Sequence, residues 1–114
     1  MQYYVKIWQV DADKDNLPMY LPFQGYDRII RFSGEKSLTR EMFKQWWHVV
    51  YEIPDYESKK KDMPVLNDLF ETFNINRPDD FKGWSLSVSD IIQLIDKLYF
   101  CDSFGWKELD YKGE

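Results

Sequence analysis

Cysteine and histidine are nearly missing from this chain, with one of each, Cys101 and His48, among 114 residues. A single cysteine closes no internal disulfide, which suits a reducing compartment. One Cys and one His build no zinc site without carboxylates, and no C-x-x-C or H-E-x-x-H spacing occurs. Glycine-rich phosphate cradles of the G-x-G-x-x-G or Walker kind are also absent. No apolar run approaches the ~18 residues of a membrane span. The opening MQYYVKIWQV lacks the basic stretch, apolar stretch and small-residue cleavage site of a secretory signal. The expectation is a cytoplasmic protein with no cofactor and no bound metal.

Basic residues are in deficit as well. Lys and Arg number 15 against 20 Asp and Glu, a net charge of -5. That balance argues against a general nucleic-acid binder, which needs a basic face to release counterions. The whole excess lies in the C-terminal half. Residues 65–114 hold ten acids, among them Asp79, Asp80, Asp90 and Asp102, against five bases, whereas residues 1–64 balance. If those carboxylates share a face, it attracts a basic partner and repels DNA or RNA. Scattered, they serve solubility alone.

What the chain has in plenty is aromatic and apolar side chains: 5 Trp, 8 Tyr and 8 Phe, within 44% hydrophobic and 31% charged residues. The length bounds it to one domain, large enough for a single core without staples. Tyr3 to Val10 reads as a strand, rich in β-branched and aromatic residues, with Trp8 blurring the alternation as if both faces were covered. Asp11 to Asn16 follows the start of a calcium loop, but Asn16 and Pro22 stand where the loop needs its Gly and its bidentate Glu. Leu17 to Pro22 is expected to be extended. Gly25 and Gly34 frame at most two helical turns, and Ser37 or Thr39 caps a short helix through Phe43. A strand then runs from Trp46 to Ile53 and ends at Pro54, with an exposed loop or connecting arm over 55–62.

Asp62-Met63-Pro64 starts a helix. Val65, Leu66, Leu69, Phe70 and Phe73 give it one apolar face, and Asn74 is a plausible stop. Residues 77–83 are turn-rich. Residues 88–102 fit two descriptions. Val88, Ile91, Ile92, Ile95 and Leu98 keep a helical spacing, whereas two β-rich runs flanking Asp96-Lys97 make a hairpin, with a turn that lacks the usual Gly. The β-content tips the balance to strands. The expected fold is α+β: a small single domain over 1–114, mostly antiparallel sheet, with one main helix at about 65–74 and a C-terminal hairpin.

Three constellations carry chemistry. Cys101 and His48 could pair as nucleophile and base, although Cys101 follows Tyr99-Phe100 on a strand and behaves as well as a small buried residue. Asp79, Asp80, Asp90 and Asp102 could gather around a divalent cation, or serve turns by accepting backbone N–H bonds. Trp84, Phe104 and Trp106 could anchor a partner or fill the core, Trp106 being the best interface candidate of the three.

Leu69 to Asn74, Pro78 to Phe81, Gly83-Trp84-Ser85-Leu86-Ser87-Val88-Ser89-Asp90 and Tyr99-Phe100-Cys101-Asp102-Ser103-Phe104-Gly105-Trp106 together resemble the YodL-like family of small proteins and domains from bacterial plasmids and conjugative elements. The likeness covers roughly residues 44–109 and, more loosely, the opening strand. The paired order S-L-S-V-S-D and C-D-S-F-G carries it. It implies a small α+β domain with the hairpin, and brings no catalytic residues. It further implies an anti-defence role, since some proteins that look like this one are linked to inhibition of type II CRISPR effector nucleases. The expectation is therefore stoichiometric, non-enzymatic binding to such an effector, with the acidic half in its Lys- and Arg-lined channel. The expected contact residues are Asp79, Asp80, Asp90, Asp102, Trp84 and Trp106. A generic interaction module of conjugative elements, and a metal-dependent nuclease acting on guide RNA, are the competing readings.

Overall fold

In the computed structural model, which describes residues 2–11 and 23–109, the opening segment forms strand β1 (Gln2–Val10) near the middle of a five-stranded sheet. Its side chains alternate between two cores. Tyr3, Val5 and Ile7 face one cluster, while Trp8 and Val10 face the other. That is why Trp8 spoils a simple inside–outside pattern: both faces of the strand are covered. The calcium-loop and extended readings of 12–22 lie outside the described residues.

Among the described residues three helices flank the sheet. Helix α1 (Tyr26–Ser33) fits between Gly25 and Gly34, the latter a left-handed stop at φ 77°. Helix α2 (Arg40–Trp46) starts at Thr39, whose Oγ1 accepts from the Met42 N–H at 3.1 Å. It runs three residues beyond Phe43, so the next strand begins one residue later than its composition suggests. That strand, β2 (Trp47–Glu57), also passes through Pro54 into the segment expected as loop. The correction has a simple cause. Among the described residues β2 is an edge strand bonded only to β1, and proline is tolerated where a backbone N–H has no ladder partner to meet.

Helix α3 (Asp62–Ile75) buries Val65, Leu66, Leu69 and Phe73 on the Tyr3–Ile7 side of the sheet. It outlasts the expected stop at Asn74, whose side chain bonds back to the Phe70 carbonyl. Phe70, counted in the apolar face, stands 37% exposed at its margin. Helices α1 and α2 pack on the opposite side through Ile29, Met42 and Phe43. The sheet is thus sandwiched between two helical layers.

Residues 88–102 form the hairpin. Strands β3 (Ile91–Leu94) and β4 (Lys97–Asp102) pair antiparallel, Leu94 opposite Lys97, and β5 (Gly105–Leu109) continues the meander. The strand order is β2-β1-β3-β4-β5, antiparallel throughout. The turn falls on Ile95-Asp96 rather than Asp96-Lys97. Ile95 adopts φ 60°, a conformation that hairpin turns usually give to glycine. It is held there by its N–H to the Tyr4 carbonyl at 2.9 Å and by Gln93 Nε2 on its own carbonyl. No helix among the described residues is long and apolar enough to cross a membrane.

Candidate partner-binding surface

The loop leading into β3 is organised around one buried carboxylate. Asp90 is 0% exposed. Its Oδ2 accepts from the Ser87 N–H at 2.8 Å and from Gln9 Nε2 at 3.1 Å, and its Oδ1 accepts from Trp84 Nε1 at 3.1 Å. Gln9 Nε2 also reaches the Trp84 carbonyl at 2.9 Å. The amide can enter because residue 83 is glycine: a Cβ there would lie 2.4 Å from Gln9 Oε1. The G-W-S-L-S-V-S-D run is therefore a carboxylate-centred turn, in which Gly83 makes room, Trp84 and Ser87 donate, and Asp90 accepts. Burial pushes the Asp90 carboxyl up to about 7, against the Ser87, Gln9 and Trp84 donors that pull it down.

This corrects the expectation for Asp90 and Trp84. Asp90 offers no carboxylate to a partner, because its oxygens are spent inside. Trp84 is half-buried, its indole N–H committed to Asp90 and its ring 5.2 Å from that of Phe23. Trp106 also turns inward: it meets Phe70 edge-on at 6.2 Å and donates to Asn67 Oδ1 at 3.3 Å, tying β5 to α3.

The other acids disperse. Asp79 and Asp80 are exposed on the turn after α3, and Asp80 accepts from the Tyr51 hydroxyl on edge strand β2 at 2.8 Å. Asp102, half-buried at the far end of β4, accepts from the Tyr26 N–H at 3.2 Å and the Ser103 N–H at 2.8 Å. It caps α1 from another element, in place of Gly25, which has no side chain to do so. Asp96 stands at the opposite end of the six-residue β4, about 20 Å away at strand rise. Asp68 pairs with Lys60 at 2.8 Å. Among the described residues, these carboxylates stand on separate elements and form no single acidic face. Among the described residues, no group of three or more His, Cys, Asp or Glu is placed to hold a metal ion.

Cys101 and His48 are kept apart. Their strands β4 and β2 are separated by β1 and β3, about 14 Å at sheet spacing. The buried Cys101 thiol is pushed up to about 12, by burial first and then by the charges of Asp90 and Asp102, which disfavours its thiolate. His48 sits instead 4.0 Å from Asp11.

What the surface does present is Phe104. It occupies the β4–β5 turn, where Gly105 at φ 98° lets the chain reverse, and its side chain is fully exposed at 101%. Phe23, 54% exposed, lines the same cleft of about 420 Å³ together with Gln24, Gly25, Asp27, Arg28 and Asp102. Phe104 lies inside C-D-S-F-G, so the motif was visible in the sequence. Its full exposure was not, and Trp106 two residues on, which follows a Gly near the C-terminus, was the more attractive choice.

A family model for the YodL-like domain matches residues 4–111, with both motif loops inside the match. The chain belongs to the YodL-like family. No curated protein and no solved structure matches it. In this YodL-like domain the match reaches from β1 into the residues beyond β5, so the opening strand is part of the family unit and not an addition to it. Its first motif builds the Asp90 turn, and its second builds the Phe104 tip.

Proposed function

We propose that this YodL-like domain is a mobile-element-encoded anti-defence protein of the anti-CRISPR type. It binds a type II CRISPR effector nuclease stoichiometrically, without catalysis, and blocks engagement of guide RNA or DNA. The observation that supports this reading is the fully exposed Phe104 at a hairpin tip, with Phe23 beside it on the same cleft. An aromatic ring left wholly in water contributes nothing to its own fold, and aromatic side chains dominate interface energies once a partner buries them. The resemblance to plasmid and conjugative-element proteins supplies the anti-defence context. Docking through Phe104 and Phe23 replaces the acidic-face mechanism, since Asp68, Asp80, Asp90 and Asp102 are each engaged on a different element.

The test is a pull-down of the purified domain against a type II effector, with and without guide RNA. Wild type is expected to be retained, and Phe104→Ala to bind about thirtyfold more weakly, the ~2 kcal/mol of an aromatic hot spot. Absence of binding in both states removes the anti-CRISPR reading and leaves a generic interaction module of conjugative elements.

A further inference from the structure

Phe23 and Ser89 both adopt left-handed backbone conformations, φ 71° and 85°, and neither is glycine. Such residues cost about 1–3 kcal/mol each and persist only where their surroundings over-determine them. Here they hold each other. The Phe23 N–H donates to Ser89 Oγ at 2.9 Å, and the Phe23 ring rests against Trp84. Ser89 is pinned in turn by its N–H to the Cys101 carbonyl at 3.0 Å and by Trp47 Nε1 on its own carbonyl at 2.8 Å. Both contacts of Phe23 thus lead to the Asp90 turn, through Trp84 on one side and through its chain neighbour Ser89 on the other.

We propose that Asp90 is the positioning residue of the docking surface: its ionised carboxylate holds Trp84 and the 87–89 turn so that Phe23 stands beside Phe104, and protonation releases it. This rests on the reading of the Phe23–Phe104 surface given above. Three N–H donors converge on the two carboxylate oxygens, an arrangement that suits the anion, since none of the three donor groups can accept an added proton; the Ser87 hydroxyl oxygen on the same turn is buried and has no hydrogen-bond partner. The bonded amide offers one acceptor, Gln9 Oε1, which is buried and has no hydrogen-bond partner. To use it the amide must rotate, withdrawing Nε2 from both Asp90 and the Trp84 carbonyl. Protonation therefore re-pairs the turn instead of merely weakening it.

The groups around Asp90 leave it free to titrate on its own account. Gln9 faces it from β1, Trp84 and Ser87 from the loop, and Cys101 from β4. Burial and the charges of Asp90 and Asp102 push the Cys101 thiol up to about 12, above the neutral range. Among the described residues no ion pair involves Asp90. With burial setting its carboxyl near 7, the exchange falls in the neutral range.

The experiment is a nitrogen-15 NMR titration of the whole protein from about pH 5 to about pH 8.5, spanning the neutral range in which histidine also titrates. The Trp84 indole N–H and the Phe23 amide are expected to shift together, with one midpoint near neutral. Asp90→Asn abolishes both titrations, whereas His48→Gln leaves both, which separates Asp90 from the only histidine. Ser89→Ala removes one of the two links to Phe23, so that Trp84 still titrates in full and the Phe23 amide shift shrinks, only the Trp84 ring contact remaining. A wild-type Phe23 amide that ignores pH, or a titration that vanishes in His48→Gln, overturns the proposal. If Asp90→Asn does not fold, the wild-type and Ser89→Ala profiles decide it. No partner enters this experiment, so its outcome and that of the effector pull-down are independent.

Discussion

Gly83 lies against the amide of a residue that is itself 1% exposed and held by two hydrogen bonds. Gln9 cannot step aside cheaply, so Gly83→Ala is expected to cost about 2 kcal/mol of stability, as over-packing of a full core does. A shift of the urea midpoint at unchanged slope measures it. At Asp90 the sign of the pH dependence follows from burial. The folded-state value near 7 lies above the ~4 of an unfolded aspartate, so the stability it contributes is fully present below about pH 4 and is lost as pH rises through about 7. Stability is thus exchanged for an ionised carboxylate that places its neighbours. Urea unfolding of wild type and Asp90→Asn at about pH 4.5 and about pH 7.5 checks this. The wild type should lose more stability between the two than the variant, and equal losses contradict it.

Ile95 shows how an element can force a residue against its own preference. The β3–β4 turn requires a positive φ, and a β-branched side chain is poorly suited to one. The register wins because β3 and β4 bury alternating partners on both faces, Ile91 and Phe100 toward one core, Ile92 and Tyr99 toward the other. Slipping the turn by one residue would move every one of them to the wrong face. Ile95 is 43% exposed, so little packing is lost on replacement. Ile95→Asn is expected to raise stability by about 1 kcal/mol, visible as a higher melting temperature. At the start of α2 the opposite holds, since local chemistry and fold agree: Thr39→Ala removes the Met42 cap and should cost about 1 kcal/mol in the same measurement.

Across the molecule, two phenylalanines four positions apart have opposite fates. Phe100 is 0% exposed between the sheet and α1, edge-on to Tyr26 at 5.5 Å, while Phe104 is wholly in solvent. Truncating Phe100 to alanine is expected to cost about 3–5 kcal/mol, and truncating Phe104 less than about 0.5 kcal/mol. Stability assays on the two variants check both halves of this contrast, and effector binding by the folded Phe104→Ala protein then reads the loss of docking alone. Dispersal of the carboxylates has its own consequence. The screening length shrinks from about 10 Å to about 3 Å between 0.1 M and 1 M salt, which cripples association driven by a shared acidic face. Binding through Phe104 and Phe23 should survive that change, and its loss would restore the acidic surface as the driving contact.

Local pattern determined much of this protein. The opening strand, the frame of α1 between Gly25 and Gly34, the Thr39 cap and the apolar face of α3 all follow from spacing and turn chemistry within a few residues, while the hairpin over 88–102 is favoured by β-content alone. Membership of the YodL-like family is legible in the same way, because S-L-S-V-S-D and C-D-S-F-G are contiguous. Only the tertiary structure decided where the acids went and which aromatic ring was left over. Asp90 is satisfied by Gln9, 81 positions away, and Asp102 caps a helix 76 positions earlier. Neither carboxylate differs in sequence from one on the surface. Trp106 reads as the better anchor for a partner until α3 packs against it and leaves Phe104 bare. Burial and long-range hydrogen bonding are properties of the assembled layers, and no window of adjacent residues contains them.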